Sequence, residues 1–277
     1  MSHLQQKPPA PSLTHYFAPI STDLKHIAIG GPGFMWGITT ANKLVSRYLN
    51  TMERDWVTMP DLPNKHAPLT LDCAEDGTVI VLDTANNAYR YSDLTFPGTE
   101  APHAPTHWLK LSNAKWTDVG VGGNDAIVGI RKVGDGGMPQ LYLGNGQLLN
   151  MLSEPLDGLT KISVAHDKTV VGIANLHQYR LLFDHPPQMM TPYWAGELAI
   201  SAGSSATVLG SDLRNLLRLY TGEHSYAIID CKDATLSARH NTIKGVITNI
   251  ACLNEAQYYI TVVSGHTTTT YARVTNP

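Results

Sequence analysis

The side chains best able to do chemistry are few, and most stand in patterns that assemble no familiar reaction site. Gly30, Gly31 and Gly33 follow the apolar run Ile27-Ala28-Ile29 and so imitate a phosphate-binding loop. Such a loop passes the phosphate to a helix N-terminus, whose amides and dipole hold the negative charge. Here Phe34-Met35-Trp36-Gly37-Ile38 comes next and reads as a strand, and a comparable turn recurs at Gly122-Gly123, so a β-turn is expected. His103 and His107 are four apart, as in a helical zinc pair, but Pro105 between them excludes a helix interior. Asp72, Asp76 and Gly77 resemble part of a calcium loop, yet Ala74 occupies a ligand position and no matching Glu follows. A hairpin turn over Glu75-Asp76-Gly77 is expected instead. Gly203-Ser204-Ser205 lacks the second glycine of a nucleophile elbow. These readings lead to the expectation of no cofactor, no metal and no catalysis.

What remains is aromatic. Sugar rings present C–H faces that stack on Trp and Tyr while Asn, Asp or Arg meet their polar edges. Trp56, Trp108, Tyr193 and Trp194 fall at strand edges or in loops between repeats, and these four are the candidate ligand-binding residues. The competing structural reading is that outer tryptophans cover neighbouring repeats. Trp36, in an inner apolar strand, is expected in the core. Cys73, Cys231 and Cys252 have no metal-like spacing and read as buried free thiols.

The elements that must position these residues are short strands. The chain has 277 residues, only 16% of them charged, with 23 Gly and 17 Pro, which favours turn-rich β structure over long solvated helices. Net charge is −3 and no basic block occurs, so neither a nucleic-acid footprint nor an anionic-membrane footprint is present. Apolar runs fall far short of the ~20 residues that span a bilayer, and membrane insertion is not expected. Met1 to Ser12 is polar and Pro-rich, without the apolar region of a secretory signal. Synthesis and residence in the cytoplasm, or inside a large particle such as a virion, follow as the expectation.

One phrase recurs: a strand, a turn, then an apolar strand. It appears as Ile27–Gly30 with Phe34–Ile38, as Val119–Gly122 with Ala126–Ile130, and as Ile162–Val164 with Thr169–Ile173. Looser copies centre on residues 79–82, 207–210 and 259–262, giving a period near 45. Third strands follow at Ala88–Tyr91, Gln178–Leu182, Leu216–Tyr220 and Thr270–Val274, and fourth strands at Asp55–Met59 and His107–Leu111. Four strands per ~45 residues is the arithmetic of a β-propeller blade. The last repeat lacks a fourth strand. Thr14–Ile38 aligns without gaps on Thr106–Ile130, with identities at Thr14, His15, Gly30, Gly31, Gly37 and Ile38. Residues 14–19 therefore read as the missing outer strand, closing the ring from the other end of the chain. The expected fold is an all-β, single propeller of six four-stranded blades over residues 13–277, preceded by an arm, residues 1–12.

The residues Trp116…Val119-Gly120-Val121-Gly122, Phe34-Met35-Trp36-Gly37-Ile38, and Tyr89-Arg90 or Tyr179-Arg180 resemble the tectonin-type β-propeller repeat. Blades four to six depart from it by lacking the second-strand Trp. The resemblance implies a recognition module, in many such proteins a lectin for microbial surface glycans. Two functions are thus expected to compete. One is a non-enzymatic structural component that docks protein partners in a larger assembly such as a virion or injection machine. The other is a tectonin-like lectin. The divergence of the repeats favours the first, since a lectin would prefer near-identical sites in each blade.

Overall fold

A computed structural model of the chain describes residues 15–21, 23–30, 34–48, 56–91, 108–123, 126–190, 197–202, 207–212, 216–221, 225–230, 245–253 and 257–275. All regular structure in them is β, in six antiparallel sheets. Blade 1 comprises Leu24–Gly30, Phe34–Thr39, Leu44–Tyr48 and Val57–Thr58. Blade 2 comprises Pro68–Cys73, Val79–Asp83, Ala88–Tyr91 and Trp108–Lys110. Blade 3 runs Asp118–Val121, Ile127–Val133, Gly136–Tyr142 and Leu148–Asn150, with Leu156–Asp157 added against the third strand. Blade 4 is Leu159–Val164, Val170–Ala174, His177–Leu181 and Gln188–Met189. Blade 5 is Glu197–Ala202, Thr207–Asp212, Leu216–Thr221 and Ser225–Asp230.

Blade 6 is built from both ends of the chain. Val246–Cys252, Tyr258–Ser264 and Thr267–Thr275 are joined by His15–Ser21 as the outer strand. His15 lies opposite Thr275 and Pro19 opposite Tyr271, so the expected closure is present, extended two residues beyond residue 19. Pairing satisfies an edge that would otherwise expose its backbone groups. The outer strands at Val57–Thr58 and Trp108–Lys110 are shorter than their sequence patterns suggest. An outermost strand pairs on one side only, which leaves its ends without cooperative support.

Second strands are buried on both faces, as at Val79–Asp83 and Val170–Ala174, which is why they read as continuous apolar runs. Hairpins between second and third strands turn through Asn42 and Asn86, both at φ 62°, a left-handed conformation that Asn tolerates well. Between blades the apolar faces interlock. Trp36 packs with Leu71, Val79 and Tyr89 of blade 2, and Trp116 packs with Ile80, Leu82 and Val119. Trp36 is fully buried, as expected. No helix among the described residues is long and apolar enough to cross a membrane.

Candidate functional site

The innermost strand of each blade alternates between its two neighbours: in blade 1, Ile27 and Ile29 pack with Ala251 and Tyr259 of blade 6, and Ala28 packs with Leu71 and Cys73 of blade 2. Leu71 likewise packs back onto Trp36 of blade 1 and Val119 onto Ile80 and Leu82 of blade 2, and Ile27, Leu71, Val119, Ile162 and Ile250 are all buried. The channel receives a first tier at its mouth: His26, Thr70, Asp118, Lys161, Ala199 and Asn249. Asp72, Ser163 and Ser201 stand one tier deeper, beside Ala28 and Ala251. At the mouth, five of the six inner strands slip register by one residue, at Leu24/His26, Pro68/Thr70, Leu159/Lys161, Glu197/Ala199 and Ile247/Asn249. These bulges turn Lys25, Leu69, Thr160 and Thr248 out of the ladder to form the rim.

The tiers are knitted together by six side-chain clasps, one per seam between blades. Asn249 Oδ1 accepts the Ile27 amide at 2.9 Å, joining blade 6 to blade 1. His26 Nε2 donates to the Leu71 carbonyl at 2.9 Å. Asp72 Oδ2 accepts the Val121 amide, Asp118 Oδ2 the Ile162 amide, Ser163 Oγ the Ala202 amide and Ser201 Oγ the Cys252 amide, each at 2.9 Å. The circle is complete.

Enclosure displaces the protonation of this belt. Burial pushes the Asp72 carboxyl up to about 7 against the amides of Val121 and Cys73, with the Asp118 charge adding to the rise. Burial also raises Asp118, opposed by the Lys161 ammonium and by the amides of Ile162 and Val119. His26 is pulled down to about 4 by burial and then by the charge of Lys161, against its bond to Leu71. Neutral His26 fits its geometry: Nε2 carries the proton given to the carbonyl. His26 and Asp72 are only partly covered, and the surface they keep lines the channel, where water tempers these shifts.

The cavity measures about 90 Å³, room for a handful of waters. That is well below the ~300–1,000 Å³ of pockets that enclose a drug-sized ligand. It can admit a single side chain or a very small molecule. A second, smaller cavity of about 20 Å³ adjoins it at Ile29, Cys73, Ala202 and Cys252 and is lined also by Glu75 and His166, whose Oε2 and Nδ1 lie 3.2 Å apart. No cluster of metal-ligating side chains occurs among the described residues.

Of the sequence-predicted aromatics, Trp108 and Trp56 are described, and they pack against different core clusters. Trp108 is half-buried and meets Trp36 and Tyr91 edge-on, at 6.5 and 6.0 Å between ring centres. Trp56 is half-buried beneath the Arg47 guanidinium, 4.8 Å from the ring centre. Tyr193 and Trp194 lie outside the described residues, as do Cys231 and the His103/His107 pair. Cys73 and Cys252 are buried free thiols. The turn at Asp76-Gly77 is present, with Asp76 Oδ1 accepting the Thr78 amide, but Asp72 belongs to the strand and to the channel. Sequence reasoning missed the belt. Its signal is the spacing of the clasp residues His26, Asp72, Asp118, Ser163, Ser201 and Asn249, which follows the period of the repeats.

No protein-family profile matches the chain, and no curated protein matches its sequence. Solved structures do match its shape. Virginiamycin B lyase from Staphylococcus aureus is similar at TM-score 0.57 and 13% identity, over 92% of this chain and 96% of that one. Regucalcin from Agrobacterium tumefaciens is similar at TM-score 0.60 and 11% identity, over 94% and 95% of the two chains. YCF48, solved bound to a D1 peptide, is similar at 0.53 and 11%, over 92% and 78%. The fold is a β-propeller. At these identities the likeness extends to the fold alone, and none of it supports the tectonin-type repeat. The lyase corrects the expectation that the chain is no enzyme: this architecture also carries catalysis, so the absence of familiar motifs excludes no reaction.

Proposed function

We propose that this propeller docks a segment of a partner protein across the mouth of its channel, as a component of a larger assembly such as a virion or injection machine. The observation that carries the reading is the composition of that mouth. A polar funnel with room for one side chain opens near exposed apolar residues: Leu69 at 46% and Val246 at 45%, where the inner strands of blades 2 and 6 begin, with Leu176 at 45% in the hairpin between the second and third strands of blade 4. A surface that mixes apolar anchors with enclosed ionisable groups is suited to recognition. The YCF48 neighbour, solved with a peptide, supports a peptide as the class of ligand. The glycan reading has no comparable support, because Trp56 and Trp108 are engaged by Arg47, Trp36 and Tyr91. In this reading residues 1–12 form an arm outside the ring of residues 13–277.

Size-exclusion chromatography of extracts from the native source tests it. The chain should elute with protein partners, well above its own 30.2 kDa. The double variant Leu69→Asp, Lys161→Glu should elute alone, while Asp184→Lys on the opposite face should stay in the complex. Elution of the unmutated chain alone, or retention of the double variant in the complex, refutes the proposal.

A further inference from the structure

A separate cavity lies on the same face as the channel mouth, between two loops. One is the hairpin joining the second and third strands of blade 1, through Ala41 and Asn42; the other is the connection from blade 1 to blade 2, through Asp61 and His66. It measures about 190 Å³, against about 90 Å³ in the channel. A protein cavity of ~150 Å³ lined by apolar side chains takes up benzene, so this one has room for a six-membered ring bearing one small substituent. Its apolar lining is buried: Leu44 and Leu62 are 2% and 3% exposed, with Pro68 beside them.

Both walls are held in place without a ligand. Asn64 Nδ2 donates to the hydroxyl of buried Tyr89 at 2.8 Å, the Lys65 amide to the Leu62 carbonyl at 2.9 Å and the Thr84 amide to the Ala67 carbonyl at 2.9 Å. Lys43 Nζ donates to the two Asp61 oxygens at 3.0 and 3.2 Å and so ties the hairpin to the connection. That exposed pair adds little stability, but it neutralises the carboxylate of the lining. Lys65 and His66 complete the polar side of the cavity, and among the described residues neither is engaged in an ion pair. With the imidazole neutral, two ammonium groups stand against one carboxylate, and the lining carries one net positive charge. Just outside it Lys25 donates to Asn42 Oδ1.

We propose that this cavity binds a small organic monoanion, a carboxylate on a compact apolar body of the size of benzoate. The buried leucines cover the body, and Lys65 and His66 meet the carboxylate with charge-assisted hydrogen bonds. A dianion such as phosphate is disfavoured, because Asp61 stands at the same site and phosphate sets nothing against Leu44 and Leu62. The acidic side chain of a docked peptide brings a carboxylate without a body to cover those leucines. The inference is independent of the docking proposal, since the cavity shares no lining residue with the channel.

Titration of the isotopically labelled full chain with sodium benzoate tests the site, with amide shifts read by NMR against sodium chloride at equal ionic strength. The amides of Asn42, Lys43 and Ala67 should move along a saturating curve at millimolar benzoate, as befits so small a ligand. Benzamide, the neutral counterpart, should bind severalfold more weakly. Lys65→Gln, at an exposed position that the fold does not depend on, should weaken benzoate roughly three- to fivefold, the effect of one exposed charge pair. Lys132→Gln, exposed on blade 3, should leave the affinity unchanged. Shifts no different from those in chloride, equal binding of benzamide, tighter binding of inorganic phosphate, or undiminished affinity in Lys65→Gln overturns the proposal.

Discussion

Alanine at position 129 is the most exacting test of how blades 2 and 3 interlock. Gly129 lies in the second strand of blade 3, opposite Val119 and Gln140. A Cβ there would meet Trp116 Cδ2 at 2.3 Å and Cε2 and Cε3 at 2.7 Å, where ordinary contact begins near 3.4 Å. The indole would have to retreat by roughly 1 Å, and Trp116 is fully buried among Ile80, Leu82 and Val119. Interiors packed to crystal density offer no such space. Overpacking costs about 1–3 kcal/mol and occasionally more, and a clash with a rigid ring belongs at the top of that range. For a chain of this size each kcal/mol moves the midpoint by about 2–4 °C, so Gly129→Ala should melt about 6–12 °C early. Trp116→Leu will itself be costly, by about 2–3 kcal/mol of lost burial. On that background Gly129→Ala should cost almost nothing. Thermal and urea unfolding of the two single variants and the double variant measure the coupling. Costs that simply add, within about 0.5 kcal/mol, would mean that the glycine does not face the indole, and the seam described above would be wrong.

The clasps can be probed without charge: Ser163→Ala strands the Ala202 amide and Ser201→Ala the Cys252 amide, and each should cost about 1–2 kcal/mol in urea unfolding, since channel water can reach them. Deleting residues 1–21 removes the partner of Thr270–Thr275 and should yield a chain that aggregates in light scattering, whereas deleting 1–12 should leave the melting curve unchanged. Trp108→Ala loses edge contacts to both Trp36 and Tyr91, each worth about 0.5–1.5 kcal/mol beyond burial, and should lower stability measurably in chemical denaturation. Burial raises both described thiols, Cys252 to about 12, so Cys73 and Cys252 should resist a thiol reagent in the folded chain and react once urea unfolds it.

The ring was legible in the sequence because its elements are local. Strand alternation, Gly and Asn turns and a period near 45 mark each hairpin, and the resemblance of Thr14–Ile38 to Thr106–Ile130 places the closing strand. The channel was not legible by the same means. In a strand whose apolar neighbours all point into blades, a single Asp or Ser reads as an ordinary solvent-facing residue. Only the 46-residue steps from His26 to Asp72 to Asp118 distinguish it, and they become meaningful once the six inner strands are seen to converge. Trp56 and Trp108 carry a related ambiguity. Whether a tryptophan offers a free face depends on the third strand beside it, and Arg47 and Tyr91 occupy that place for Trp56 and Trp108. Catalysis was dismissed on motifs alone, although a propeller can gather reactive groups from six separate repeats with no local motif.

The junction in blade 6 also sets a timetable for synthesis. His15–Ser21 leaves the ribosome well ahead of its partner Thr267–Thr275, which begins 246 residues later. At roughly 5–20 residues per second, the strand waits about 12–50 s for its mate. During that interval it is a lone strand, open to pairing with neighbouring nascent chains. Pro19, lacking an amide hydrogen, interrupts the row of donors that such mispairing would use. The same proline tolerates its final place because it sits on an outermost strand, so one residue serves both the wait and the closure.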